Sequence, residues 1–203
     1  PAQGSMDEYE KNFPIPEASM YFRSLRPGDE VTIIIEGGDP LSGCSLLLMN
    51  IIKDCKLKVI YLVPDRQTSS SVQKRDDKIA FNILQEYARS GLVQEFCIID
   101  LSVVDELIGD VPVGSYQRSL FYFMSYVLAT LDFFVHHEPV LSTHTRVPLG
   151  ARITTIGVAS LEEDQIKRIR WLYPLEDSVN THFIYGIPQQ LLNEDATLMN
   201  KIK

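Results

Sequence analysis

The chain is 203 residues long, 45% hydrophobic and 9% aromatic, which sets it among globular proteins and excludes a disordered or fibrous one. Its 27 acidic residues outweigh 19 basic ones, a formal charge of −8, and that negative field argues against nucleic-acid binding, which starts from a positive one. Three cysteines, Cys44, Cys55 and Cys97, are odd in number, sit in apolar runs and lack CxxC spacing, so a reducing, cytoplasmic compartment is expected, with neither a disulfide framework nor a zinc knuckle.

No apolar run reaches the roughly 18 to 20 residues that cross a bilayer, so no membrane partner is expected. Pro1 to Ser5 ahead of Met6 reads as a non-native leader and is left out of the fold. Residues 7–30 are punctuated by Pro14, Pro16 and Pro27-Gly28 and read as an arm or a short helix. Val31-Thr32-Ile33-Ile34-Ile35, between Gly28 and Gly37-Gly38, reads as a buried parallel strand. A helix is expected from Ser42 to Lys53, then a second strand from Leu57 to Val63, stopped by Pro64.

Ser69, Ser70 and Ser71 offer N-caps for a helix through Arg89 that Gly91 closes, with Ile79, Ile83, Leu84 and Tyr87 on one stripe. Phe96 to Asp100 reads as a third strand, Val103 to Leu107 as a short helical turn, and 109–114 as a loop. From Ser115 to His136 runs the longest periodic segment, apolar over most of its circumference, and a helix of that kind is expected to be a buried spine. Its Phe121, Tyr122, Phe123, Phe133 and Phe134 are read as core, not as a stacking platform. Beyond the 136–148 loop, Ala151 to Val158 reads as a half-exposed strand that starts a second small sheet. A helix at 161–172 and strands at 180–186 and 196–202 complete the reading. Strand–helix alternation implies a parallel sheet with right-handed crossovers.

The candidate chemistry lies at Gly37-Gly38-Asp39-Pro40-Leu41-Ser42-Gly43, a turn between strand and helix at which backbone amides and the helix dipole can hold an anion. Asp39 adds a negative charge, Pro40 has no amide hydrogen, and Leu41 is bulky; no GK[ST] follows, so this is not a Walker loop. Arg66, Lys74, Arg75 and Lys78 alternate with Asp76 and Asp77 near that edge, and such mixed runs are usually solvated charges. His136, His137, Glu138 and His144 suit a divalent metal by type but not by spacing, and no metal site is assigned. Cys44, Ser45 and His144 make no triad, for want of a G-x-S-x-G elbow and an orienting acid.

The order of these elements resembles the tubulin/FtsZ superfamily, most of all the short, divergent phage tubulins. The likeness runs over residues 31–203: the Gly-rich turn after the first strand, the long central helix, Gly150 to Gly157 like the first strand of that family's activation domain, and Thr181 to Gly186 like its later strand. Against the family's GGGTG[ST]G loop, Gly37, Gly38, Ser42 and Gly43 match, while Asp39, Pro40 and Leu41 depart. The resemblance implies an α/β fold with a parallel three-layer sheet, a central helix and a small C-terminal α+β region. It divides the chain into an arm (1–30), a Rossmann-like part (31–136) and an activation-domain-like part (137–203), without the family's N-terminal nucleotide-binding half. It also implies GTP as the ligand, if any is bound, at Gly37, Gly38, Ser42, Gly43, Ser45 and Arg75. The family's acidic catalytic loop GxxNxDxxD has no counterpart in Glu138 to Thr145, so no catalytic residue is assigned.

Three functions follow as expectations. The first is a non-catalytic self-associating or scaffolding protein, a filament component or a partner of another tubulin-like subunit, with no required cofactor. The second is a divergent GTP-binding polymerising GTPase completed by a partner chain. The third is an unrelated Rossmann-like or flavodoxin-like ligand-binding module.

Overall fold

The computed structural model describes residues 6–137, 152–159, 169–178, 181–183, 186–194 and 197. Four parallel strands lie in the order β1-β2-β3-β4: β1 Glu30–Glu36, β2 Lys56–Val63, β3 Glu95–Asp100 and β4 Ile153–Thr155. Ile33 pairs with Val59, Val59 with Phe96, and Phe96 with Ile153, so one row of apolar side chains crosses the whole sheet. Among the described residues seven α-helices accompany it: α1 Met6–Lys11, α2 Ile15–Tyr21, α3 Cys44–Ile51, α4 Ser71–Ser90, α5 Leu101–Ile108, α6 Tyr116–His136 and α7 Gln189–Glu194.

Alternation along β2 explains where the core sits. Leu57, Val59, Tyr61 and Val63 are buried on one face, where Met49 and Ile52, at the C-terminal end of α3, and Ala80, Leu84 and Ala88 from α4 meet them. Strand order without a reversal sends every right-handed crossover to the same side, and α3 and α4 do share this one core. On the other face Ile60 and Leu62 are half-buried, and Ile34 of β1 is 55% exposed. Among the described residues β1 is therefore an edge strand covered on one side, not the doubly buried strand its β-branched run suggests. That pattern belongs to β3, in which Phe96, Cys97, Ile98 and Ile99 are all buried.

The chain divides into two compact units, one made of the described residues up to Val104 with 152–156 and 172–175, the other of the described remainder. In the second unit, β5 Gly157–Val158 pairs antiparallel with β6 Arg170–Trp171. Further expectations are corrected here. The 151–158 strand does not open a second sheet: its Ile153–Thr155 portion joins the parallel sheet beside β3, and only Gly157–Val158 lies in the small one. The expected 161–172 helix ends in strand β6, its earlier part lying outside the described residues. Helix α6 is no buried spine, for Met124 alone among its described side chains is buried, while Phe121, Tyr122, Tyr126 and Phe133 are exposed. The reason is in the helical spacing, which puts these aromatics on the stripe that also carries Arg118, Ser125, Asp132 and His136. Residues 181–183 have no strand, and 196–202 lie outside the described residues except Thr197, which is in a turn.

Candidate functional site

The C-terminal edge of a parallel sheet is where ligands of open α/β proteins bind, and the Gly-rich turn stands there, after β1. The Gly37 amide continues the ladder by donating to the Leu62 carbonyl at 2.8 Å. Gly38 takes φ +73°, a left-handed conformation that suits glycine. Asp39 then caps a 3-10 turn over Pro40–Gly43: its Oδ1 accepts from the Leu41 amide at 2.7 Å and its carbonyl from the Ser42 amide at 2.8 Å. The Ser45 hydroxyl donates to the Ser42 carbonyl, and the Cys44 amide to the carbonyls of Leu41 and Ser42. Leu41, Ser42 and Cys44 thus use their amides within the turn.

The five sequence-predicted loop residues, Gly37, Gly38, Ser42, Gly43 and Ser45, do come together, and all five are buried. What lies against them is protein. A Cβ at Gly37 would collide with the Asp77 carboxylate and the Tyr61 hydroxyl, and one at Gly38 would come 2.7 Å from the Gln73 carbonyl oxygen. Helix α1 packs over the Pro40–Gly43 turn. The glycines serve a close approach of β1 to the first turns of α4, and the same sequence signature is shared by turns that hold phosphate.

Arg75 faces a different partner. Its Nε and Nη2 both donate to Asp76 Oδ1 at 3.0 Å. Asp76 and Asp77 are each only 3% exposed. Asp77 accepts from the Tyr61 hydroxyl at 2.8 Å and lies 3.7 Å from the Arg66 guanidinium. Burial, with the hydrogen bond to Asp77 next, holds the Tyr61 phenol well above its ordinary range. Burial and then the nearby Asp39 raise the Glu36 carboxyl. The edge also carries Asp65, which accepts from the Gln67 amide, and Asp100, at the end of β3, which accepts from the amide and hydroxyl of Ser102, so carboxylates stand there beside the Arg66 and Arg75 guanidinium groups.

The Tyr61–Asp77–Arg66 group is the arrangement that sequence reasoning missed. A tyrosine inside an apolar strand and two aspartates on the buried side of a helix were its signals, since buried polar groups require partners. At the opposite end of β1 and β2, a cavity of about 90 Å³ is lined by Phe22, Leu25, Arg26, Ile51, Asp54 and Cys55 among others. Ligand pockets are several times larger, about 300 Å³ and up.

His136 Nδ1 lies 2.9 Å from the Asp132 carbonyl, and His137 stacks on Phe133 with ring centroids 3.8 Å apart. Both histidines are thus engaged by their own helix; Glu138 and His144 lie outside the described residues. Among the described residues no cluster of three metal-ligating side chains occurs, and no helix is long and apolar enough to cross a membrane. Comparison with family models, with curated proteins and with solved structures gave no match.

Proposed function

We propose that this chain is a non-catalytic, self-associating scaffold protein whose sheet is continued by another chain. The tubulin/FtsZ-like order of elements read from the sequence fits that role, as a filament component or as the partner of a tubulin-like subunit. The observation that carries the proposal is the open edge of β1: a seven-residue strand paired only with β2 among the described residues. Between its terminal glutamates it has no charge and no proline, and its register with β2 runs without a bulge. Natural proteins blunt or cover such edges because unpaired N–H and C=O groups recruit further strands. Packing at the Gly-rich turn supports the non-catalytic half of the reading, since Tyr61, Asp77 and α1 occupy the space around it.

Sedimentation velocity over a concentration series, with and without GTP and magnesium, tests this reading. Discrete oligomers indifferent to GTP are expected. Assembly that requires GTP would replace the scaffold by the divergent GTPase, and a monomer at every concentration would remove self-association. The Rossmann-like or flavodoxin-like alternative loses support from the strand order, which has no reversal among the described strands to open a switch-point crevice.

A further inference from the structure

The hydrogen bonds at the two ends of β1 identify which of its main-chain groups face outward. The Gly37 amide donates to Leu62, and the Asp29 carbonyl accepts from the Lys56 amide, each at 2.8 Å. Along a strand, successive residues send their N–H and C=O to opposite sides, so the odd-numbered residues bond β2. Thr32, Ile34 and Glu36 therefore direct both groups away from the sheet, and none of the three has a main-chain partner there among the described residues. The same three side chains lie on the open face, with Ile34 in the middle and 55% exposed.

We propose that a second copy of this chain adds to β1 in antiparallel register with Ile34 on the two-fold axis, joining two four-stranded sheets into one. The inference rests on the self-association reading above and specifies its surface. Charge decides the register. Centring the pair on Ile33 sets Glu30 opposite Glu36 of the second copy, and like charges directly opposite are destabilising. Centring on Thr32 or on Ile35 sets one of those glutamates against Ile34. Centring on Ile34 pairs it with itself, Ile33 with Ile35, and Thr32 with Glu36, so each Glu36 carboxylate meets a hydroxyl that can donate to it. Glu30 then falls beyond the ladder, where Lys58 of its own chain already lies 3.1 Å from its carboxylate. In this register every outward N–H of Thr32, Ile34 and Glu36 finds a carbonyl of the other copy. An isologous contact closes at the dimer, and a ladder this short, well below the ~1,600 Å² of a standard interface, predicts micromolar affinity.

The test uses the full chain in a Cys55→Ser background, because Cys55 is partly exposed whereas Cys44 and Cys97 are buried. Sedimentation velocity should give a monomer–dimer equilibrium for the parent and a dissociation constant at least ~30-fold weaker for Ile34→Lys, which sets two ammonium groups against each other on the axis. Thermal unfolding checks that this exposed substitution leaves the fold intact. Under mild oxidation Ile34→Cys should form an interchain disulfide, since hydrogen-bonded antiparallel pairs bring Cα atoms to about 5.5 Å. Thr32→Cys should not, its two copies being about 13 Å apart along the ladder. A dimer that Ile34→Lys leaves unchanged, or cross-linking equal at the two positions, overturns this mode while self-association stands. A parent that stays monomeric overturns both.

Discussion

Helices α4 and α6 have nearly the same length, 20 and 21 residues, and opposite relations to solvent. α4 is the more polar, with Asp, Lys, Arg and Gln throughout, yet Asp76, Ala80, Leu84 and Ala88 are buried in one straight row. α6 is rich in Phe, Tyr and Leu, yet four of its large rings are exposed. Apolar content alone does not decide burial. A row at i, i+4, i+8 with small residues on either side of one leucine lets α4 sit close on β2 and β3, whereas the aromatics of α6 share their stripe with charged and hydroxyl side chains.

Truncating one residue on each helix should separate the two most widely. Leu84 is fully buried among the core side chains, so Leu84→Ala removes both the transfer energy and the packing around it and should cost about 3 kcal/mol. Phe121 is 72% exposed, and Phe121→Ala should change stability by no more than about 0.5 kcal/mol. Urea unfolding of both variants measures the difference. Equal losses would mean that α6 is packed by contacts the exposure of its rings does not reveal.

Legibility from sequence follows the same division between local and non-local causes. Strands β1, β2 and β3 and helices α4 and α6 fall within a residue or two of their expected limits, because alternation, the helical stripe, the Ser70 cap and Gly91 act over a few neighbours. The buried row on α4 differs from the expected stripe: Ile79 is exposed, and Ala80 and Ala88 flank Leu84 in the core. Ala151 to Val158 was legible as a strand, but pairing with β3 joins residues more than fifty positions apart, and nothing local in three residues, Ile153–Thr155, names that partner. At the Gly-rich turn the glycines were legible and their purpose was not. Close approach to Tyr61 and Asp77 depends on where α4 lands, while an anion cradle and a tight crossing call for the same residue.

A smaller effect separates the helices by what they bury. The carboxylate of Asp77 on α4 is held by the Tyr61 hydroxyl, so Tyr61→Phe leaves a buried acceptor short of its donor and should cost about 2 kcal/mol. The substitution also has a pH signature. Burial raises the Tyr61 pKa above the ordinary 10.0, and the unfolded phenol ionises first; the contribution is complete below about pH 10 and is lost as pH rises. Stability measured from pH 8 to 11 should therefore fall less steeply for Tyr61→Phe than for the parent. Parallel slopes would mean that the phenol ionises as easily in the folded chain as in the unfolded one.

The smallest contrast lies at the helix starts. Ser70 closes a capping box on α4: its hydroxyl accepts from the Gln73 amide at 3.2 Å while the Gln73 side chain accepts from the Ser70 amide at 2.9 Å. Ser115, at the equivalent place before α6, donates its hydroxyl to the Pro112 carbonyl at 3.0 Å and makes no side-chain cap. Ser70→Ala should cost about 1 kcal/mol, as loss of a cap typically does, and Ser115→Ala about half that or less. Amide hydrogen exchange locates the two losses as well as sizing them, since faster exchange confined to the first turn of α4 is the mark of a lost cap. Faster exchange spread along the whole of α4 would mean that Ser70 holds more than the first turn, and the small loss expected of a cap is then wrong.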